Sequence, residues 1–166
     1  MVSEANNSDF LLLKFGYNGR MQPILPFWQA KPLDQLSDDE WESLCDGCAL
    51  CCLIKLEDPD THEVAYTRVA CQWLDLHRCT CRDYPNRHTL EPFCVKLTVE
   101  RISQFAWLPP TCAYRLLAEG KPLPDWHPLV SGDPQSVHHA GISVRGKALS
   151  ARDVPEDDWV DYLLDD

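Results

Sequence analysis

Four of the nine cysteines in this 166-residue chain lie within eight positions. They follow the pattern C-x2-C-x2-C-C and are Cys45, Cys48, Cys51 and Cys52. Cysteines at this density serve as a disulfide framework, as a thiol redox centre or as thiolate ligands of a metal. A C-x2-C step favours the metal, because a tight turn such as Asp46-Gly47 aims both sulfurs at one ion. The pattern therefore predicts a metal-binding thiolate nest over residues 45–52.

The double C-x2-C step is also the opening of the bacterial ferredoxin run, which favours an iron–sulfur cluster over zinc. Lys55 stands where the next cysteine of that run would come, so a fourth ligand has to come from Cys52 or from a distant segment. All-sulfur ligation suits tetrahedral zinc as well, and both metals stay open. Adjacent side chains point in divergent directions, so Cys51 and Cys52 are expected to do unequal work.

A second cysteine-rich segment spans residues 70–96 and supplies the distant candidates. These are Cys71, Cys79, Cys81 and Cys94. Metal binding by both segments would also supply folding free energy, because a thiolate site rarely exists in an unfolded chain. The alternative is that the cysteines are small buried hydrophobic residues. Repeated ligand spacing argues against this for the nest but leaves it open for Cys79, and Cys112 is predicted to belong to the core.

Other residues that could do chemistry give weaker signals. His62 and His77 lie near cysteines and could supply nitrogen ligands, although exposed imidazoles are the simpler interpretation. The pair 138–139 is two histidines in a predicted polar loop, where solvation is expected. Arg82 and Arg87 are expected to form salt bridges on so acidic a protein. Phosphate-loop, dinucleotide, metalloprotease and hydrolase motifs are absent from the sequence, so whether the protein is an enzyme stays open.

Composition and charge restrict the class of protein. The formal net charge is −11, which repels nucleic-acid phosphates and anionic membranes, so neither is expected as a partner. We see no export signal and no apolar run of the roughly 18 residues that a membrane span needs. A cytoplasmic protein is therefore expected. Cytosolic thiols stay reduced and nine is an odd number, and both facts argue against a disulfide framework.

The elements predicted around the cysteines are short. We expect a disordered or extended leader over residues 1–22, with Met21 as a candidate start, and one metal-binding domain over 23–166. Ser37 and Glu40 predict a capping box that opens a helix leading to the nest. Residues 52–70 predict a β-hairpin. Helices are predicted within 98–108, 110–122 and 155–164, and a short strand at 142–145. The predicted fold class is a small α+β domain of short helices and ordered loops around a cysteine-metal site.

These motifs resemble those of the bacterial CxxCxxCC cysteine-cluster family, and within it the YcgN-like subgroup. The resemblance is carried by CDGCALCC, CQWLD, CRDYPNR and WLPPTCAYRLLAEGKPLPDWHPL. The family pattern continues with C-P-x-L, then C-x-I-Y-x-x-R-P, then a further cysteine. The matching residues here are Cys71, Leu74, Cys81, Tyr84, Arg87 and Cys94, with Gln72, Asp83 and His88 as departures. The resemblance implies zinc or iron–sulfur binding and no agreed reaction.

Three functional classes follow from the motifs and the resemblance. The first is a metal-binding protein that holds zinc or an iron–sulfur cluster for structure, sensing, storage or delivery. The second is an iron–sulfur enzyme that performs redox or group-transfer chemistry. The third is an interaction module stapled by zinc, with an unknown protein partner. Visible absorption separates the metals, because iron–sulfur clusters absorb near ~400 nm and zinc is silent.

Residues 1–20 are predicted to be dispensable, because they lack hydrophobic patterning and Met21 precedes the first recognisable segment. Deleting them should leave both the metal content and the melting temperature unchanged. A clear fall in either quantity would show that the leader packs on the domain.

Overall fold

The computed structural model describes residues 13–15, 21–23 and 25–164. The strands are β1 (Leu13–Phe15), β2 (Met21–Pro23), β3 (Leu53–Glu57), β4 (Val64–Ala70), β5 (Leu74–Asp75), β6 (Thr80–Cys81) and β7 (Leu149–Ser150). The α-helices are α1 (Phe27–Ala30), α2 (Asp38–Ser43), α3 (Arg87–Leu90), α4 (Ala113–Ala118), α5 (Pro128–Ser131) and α6 (Ser136–His139). Short 3-10 helices and ordered loops join them. The predicted α+β class is confirmed. None of the helices in the described part of the chain is long and apolar enough to span a membrane.

A three-stranded sheet in the order β3-β4-β7 lies next to the nest. β3 and β4 pair antiparallel, which confirms the predicted hairpin, and a register shift between Leu53 and Lys55 interrupts the ladder. β7 joins the other edge of β4 in parallel, with Val69 opposite Leu149. The hairpin begins directly after Cys52, so the sheet fixes where the nest ends.

Buried side chains form two separate clusters. The hairpin core lies against β3 and β4 and consists of Ala49, Leu53, Ala70, Leu74, Cys79 and Val144. The helix core lies under α2 and α4 and consists of Leu44, Ile102, Ala113, Tyr114 and Leu123. Phe27 and Trp28 pack against the helix core, as expected for the segment that precedes α2. Leu44 and Leu53 bracket the nest, so its two ends are anchored in different clusters.

The capping box predicted for α2 is confirmed. Ser37 Oγ accepts a hydrogen bond from the Glu40 N–H at 3.2 Å, and the Glu40 carboxylate accepts one from the Ser37 N–H at 2.9 Å. Acidic residues fill the first turn, where they suit the positive end of the helix dipole. The helix is short, and Tyr114 fixes its last turn by donating a hydrogen bond from Oη to the Trp41 carbonyl at 3.0 Å. α2 therefore fixes the position of the backbone that leads to Cys45.

The predicted helix over 98–108 is wrong in type. Only Ile102–Gln104 is helical there, as a 3-10 helix within a series of turns. Ile102, Phe105 and Leu108 are all buried, and their spacing of three matches the 3-10 period and not the 3.6-residue period of an α-helix. The short 3-10 helix and the turns after it place all three side chains in the interior.

Other predictions near the carboxyl terminus also differ from the structure. Residues 142–145 form turns between Gly141 and Gly146, both of which have positive φ, and the strand lies at β7 instead. The histidine pair 138–139 lies on α6 and not in a loop. The C-terminal helix is a 3-10 helix over Glu156–Tyr162. The predicted leader contains the β1–β2 pair, and its separation from the domain stays a prediction.

His127 ties the start of the nest to α5. It is fully buried, its Nδ1 accepts a hydrogen bond from the Leu129 N–H at 3.1 Å, and its Nε2 lies 3.1 Å from the Leu44 carbonyl. Because Nδ1 accepts, Nε2 carries the proton and donates to Leu44 O. Burial lowers the pKa of His127 below its ordinary 6.5, so the folded state favours the neutral ring.

We predict that His127→Leu destabilises the protein by roughly 2–4 kcal/mol, because it leaves a buried carbonyl and a buried N–H unpaired. The neutral ring contributes stability above pH ~6.5, and that contribution is lost as the pH falls. Denaturant titrations at about pH 7.5 and about pH 5.5 should therefore show a smaller difference between variant and wild type at the lower pH. The exposed His77→Gln serves as the control. An equal difference at both pH values would contradict the assignment.

Candidate metal centre

The turn that contains the first two cysteines is built from a carboxylate and two left-handed residues. It follows Leu44, which is fully buried in the helix core. Oδ1 of Asp46 accepts a hydrogen bond from the Cys48 N–H at 2.9 Å. Gly47 (φ 75°) and Ala49 (φ 60°) flank Cys48, and this conformation costs a non-glycine residue about 1–2 kcal/mol. The backbone therefore changes direction on both sides of Cys48.

The carbonyl groups of this irregular segment accept hydrogen bonds from donors elsewhere in the chain. The pairs are Leu44 O with His127 Nε2 (3.1 Å), Cys48 O with Val144 N (3.0 Å), Cys51 O with Lys55 Nζ (2.8 Å) and Cys52 O with Cys71 N (2.9 Å). Most of these donors are distant in sequence. Tertiary contacts thus fix the path of the nest, because local secondary structure leaves its backbone groups without partners.

The four cysteines of the nest differ in burial, since Cys48 is buried and Cys52 is half-buried. Cys45 and Cys51 are exposed by area, yet protein atoms crowd their sulfurs. Burial, followed by the nearby Cys51, raises the pKa of Cys45 to about 12. A hydrogen bond with Cys52, followed by burial, raises the pKa of Cys51 well above its ordinary value. Burial also raises the pKa of Cys48. These thiols keep their protons at neutral pH, so a metal has to displace them.

The second cysteine-rich segment approaches the nest through Cys94. Burial raises the pKa of Cys94, and the positive charge of Arg87 opposes the increase. Cys51, Cys71 and Cys81 all lie close enough to raise the pKa of Cys94 further. The thiol of Cys94 therefore lies near Cys51 of the nest and also near Cys71 and Cys81 of the second segment.

Cys71 and Cys81 are close neighbours within the second segment. Burial raises the pKa of Cys71, and both Glu91 and Cys81 add to the increase. Both cysteines are half-buried, Cys81 as the last residue of β6. The structure thus brings Cys71, Cys81 and Cys94 into one neighbourhood, with Cys94 linking it to Cys51.

Cys79 is placed apart from the other candidate ligands. It is 5% exposed and belongs to the hairpin core, among Leu53, Leu74 and Val144. Its thiol makes a long contact of 3.9 Å with the Leu76 carbonyl, and its φ of 55° places it in the tight turn between β5 and β6. This environment is that of a buried hydrophobic residue, the alternative that the sequence left open for this cysteine.

Cys112 lies nearer to the nest than its prediction as a core residue implies. It is half-buried and packs against the helix core, as expected. Burial raises its pKa to about 11, and the nearby Cys51 and Asp46 add to that increase. The N–H groups of Tyr114 and Arg115 point to its sulfur and oppose the increase. The structure therefore adds Cys112 to the thiols that surround Cys51.

Lys55 places a positive charge beside the nest. Its ammonium group donates hydrogen bonds to the carbonyls of Cys51 (2.8 Å) and Leu53 (2.7 Å). It also lies 4.4 Å from the centre of the Trp107 ring and 5.2 Å from that of Tyr66. Burial lowers the pKa of Lys55, whereas the thiols around it raise it. The position that breaks the ferredoxin pattern thus holds the backbone of the nest and supplies a cation.

The histidines and arginines noted in the sequence lie mostly outside this region. His62 and His77 are exposed, and Nδ1 of His62 lies 2.7 Å from Oε1 of Glu57. His138 Nδ1 lies 2.7 Å from Ser143 Oγ. Arg87 stacks on Tyr84, with its guanidinium 3.6 Å from the ring centre, and its charge lowers the pKa of Cys94. Arg87 thus contributes to the cysteine region through its charge. The exposure of His62 and His77 agrees with the simpler interpretation of them as exposed imidazoles.

The donor set fits a thiophilic cation, although the described side chains do not yet enclose one. In residues 13–15, 21–23 and 25–164, no three His, Cys, Asp or Glu side chains have the geometry to hold a metal ion as they stand. All nine cysteines are free thiols, and one buried oxygen beside them, Oδ2 of Asp46, has no hydrogen-bond partner. A metal would therefore have to draw the thiols together as it binds.

Some residues that shape this site carry no strong signal in the sequence. His127 acts through a contact that spans more than half of the chain, which no local motif reveals. The residues around Cys112 are typical of a core helix. Its proximity to Cys51 appears only in the folded structure. The sequence shows Asp46 only as part of a predicted turn. Its position between Cys45 and Cys48 is the one sign that its carboxylate lies near the thiols.

Comparison with known proteins agrees with the motifs. Residues 44–113, which contain all nine cysteines, match the family described as "CxxCxxCC: Putative zinc- or iron-chelating domain". A UPF0260 protein of Azotobacter vinelandii is 60% identical over 141 residues, which are 85% of this chain and 95% of the relative. UPF0260 proteins of Pseudomonas putida (strain F1) and Pseudomonas fluorescens (strain SBW25) are 60% identical over 139 residues and 58% identical over 141. These alignments cover 84% and 85% of this chain, and 93% and 95% of the relatives.

No solved structure matches the chain. The family resemblance inferred from the motifs is confirmed by the matched segment and by the relatives. The chain belongs to the UPF0260 family and carries its cysteine-rich CxxCxxCC domain, to which zinc or iron chelation is ascribed.

Proposed function

We propose that the protein binds zinc or iron through cysteine thiolates gathered around Cys51. The observation that carries the proposal is the convergence of thiols from three parts of the chain on that residue. Cys45, Cys48, Cys52, Cys94 and Cys112 all influence its ionisation or are influenced by it. Cys71 and Cys81 extend the set through Cys94. Thiolates are soft ligands that select zinc and iron–sulfur centres over calcium or magnesium.

The ligand pattern bears on which of the two metals is bound. The double C-x2-C step favours an iron–sulfur cluster, whereas a single tetrahedral zinc needs only four of the available thiolates. When bound, a zinc ion would supply structural energy, and a cluster would supply redox capacity. The chain itself holds the thiols in position. Lys55 and Arg87 are neighbouring cations that favour the deprotonated thiols which a metal binds.

The physiological role that we propose is metal binding for structure, sensing, storage or delivery in the cytoplasm. Free thiols support a reducing compartment. The high negative charge argues against nucleic acid as a partner. An iron–sulfur enzyme is the second candidate, because the double C-x2-C step favours a cluster and a cluster can carry out redox or group-transfer chemistry. A zinc-stapled interaction module is the third.

We predict that protein purified without oxygen carries stoichiometric metal, and that Cys45→Ser, Cys48→Ser, Cys81→Ser and Cys94→Ser each lose most of it. One missing thiolate leaves the remaining ligands uncompensated. Metal analysis and visible absorption measure the outcome, with a band near ~400 nm expected only for a cluster. Wild-type protein with under about a tenth of an equivalent of metal, and with an intact fold in chelator, would refute the proposed function.

Cys79→Ala is the matched control for those four substitutions. It removes a thiol from the same segment as Cys81, but from the hairpin core. We expect full metal content and a loss of stability of about 1 kcal/mol, the usual scale for a mild core truncation. Loss of metal in Cys79→Ala would show that this cysteine is a ligand after all.

We also predict that the adjacent cysteines differ. Cys51 is the thiol around which the others gather, whereas Cys52 packs against the hairpin core. Cys51→Ser should therefore reduce the metal content far more than Cys52→Ser, and Cys52→Ser should lower the melting temperature more in metal-free protein. Equal and severe metal loss in both variants, with more than one equivalent bound by the wild type, would point to a two-metal centre.

A further inference from the structure

The carboxylate of Asp46 has one oxygen that the turn does not use. Asp46 lies between Cys45 and Cys48 and is 7% exposed. Its Oδ1 accepts the Cys48 N–H at 2.9 Å and closes the turn. Its Oδ2 is buried and makes no hydrogen bond that meets ordinary geometry within the described residues. The turn accounts for one oxygen and leaves the other unexplained.

A buried carboxylate oxygen without a partner is unfavourable, because it has lost its water and gained nothing in return. A turn of this kind does not require a carboxylate. Asparagine closes the same turn through its side-chain oxygen and carries no charge. The presence of a charged side chain at this buried position therefore calls for a positively charged partner that the described side chains do not supply.

The neighbours of the Asp46 carboxylate are thiols, of which that of Cys48 hydrogen-bonds to it, and the imidazoles of His127 and His138. Burial lowers the pKa of both imidazoles, which disfavours their cationic forms. Asp46 raises the pKa of Cys45, Cys48, Cys51 and Cys112, which places its charge among these thiols. Lys55 faces Cys51, Cys52 and Cys94 from the hairpin side, and Asp46 does not affect its pKa. His127, the buried ring next to the nest, uses both nitrogens on backbone groups.

We infer that Oδ2 of Asp46 is an oxygen ligand for a single divalent cation, Zn²⁺ or Fe²⁺, held together with thiolates of the nest. This inference rests on the proposed function and narrows it. Carboxylate oxygen and thiolate sulfur are both accepted by zinc in one tetrahedral set, whereas iron–sulfur clusters are held by cysteine thiolates. The cation would supply the positive partner that Oδ2 lacks. A mixed oxygen and sulfur set therefore points to a mononuclear ion at this end of the nest.

The test is Asp46→Asn, which keeps the shape and the acceptor for the Cys48 N–H but removes the charge and the second carboxylate oxygen. The matched control is Asp58→Asn. Oδ1 of Asp58 closes an exposed turn by accepting the N–H groups of Asp60 and Thr61, each at 2.8 Å. Both variants remove one negative charge from the same type of turn. Only Asp46 lies beside the thiols.

We expect opposite effects of Asp46→Asn on the metal-free and the metal-bound protein. Metal-free protein should melt at the same or a higher temperature, because a buried charge without a partner is gone. The affinity for Zn²⁺, measured by competition with a chelator, should fall by roughly tenfold or more. With Co²⁺ in place of Zn²⁺, the visible bands should shift because the ligand set changes. Asp58→Asn should change none of these quantities.

Other outcomes overturn the inference in distinguishable ways. Wild-type Zn²⁺ affinity and unchanged Co²⁺ bands in Asp46→Asn would leave the proposed function standing and reduce Asp46 to a turn residue. A lower melting temperature of the metal-free variant, with metal loss in proportion, would assign Asp46 a purely structural role. Failure of the wild type to bind Zn²⁺ or iron would refute the proposed function and the inference together.

Discussion

The rest of the structure depends on how the carbonyl groups of residues 44–52 are satisfied. This segment is neither helix nor strand over most of its length, so its backbone oxygens need partners from elsewhere. His127 holds Leu44, the N–H of Val144 holds Cys48, and the N–H of Cys71 holds Cys52. Each contact joins a different part of the chain to the cysteines. The nest is therefore the place where the separate elements of this small domain meet.

The two core clusters divide the work of holding that segment. Leu44 is buried in the helix core and Leu53 in the hairpin core, so each end of the nest is fixed by hydrophobic burial. Of the residues between them, Ala49 belongs to the hairpin core and Cys52 packs against it. An arrangement of this kind would keep the two ends of a metal loop in place while an ion binds between them. Metal binding would then join the two clusters as well as fill the site.

Local signals in the sequence predicted the elements on either side of the nest, and long-range contacts decided what they missed. The capping box of Ser37 and Glu40 and the hairpin after Cys52 depend on near neighbours, and both were confirmed. The role of His127 and the approach of Cys112 depend on how distant segments pack, which spacing alone does not encode. Ile102, Phe105 and Leu108 are apolar residues spaced by three, which agrees with 3-10 geometry. The helical propensity of the stretch instead favoured an α-helix. The separation of Cys79 from Cys81 shows that a C-x-C pair in a tight turn sends its two thiols to different environments.

The charges around the cysteines explain why thiolates in this region would need a cation beside them. Neighbouring thiols and Asp46 all raise the pKa of the thiols, and Arg87 and Lys55 oppose this at Cys94 and Cys51. Two such cations are too few to balance several thiolates and a buried carboxylate in one region, because each added negative charge raises the cost of the next. The metal-free protein therefore keeps its thiols protonated and apart. A divalent ion would replace the protons, supply the missing charge and draw the two cysteine-rich segments together in one step.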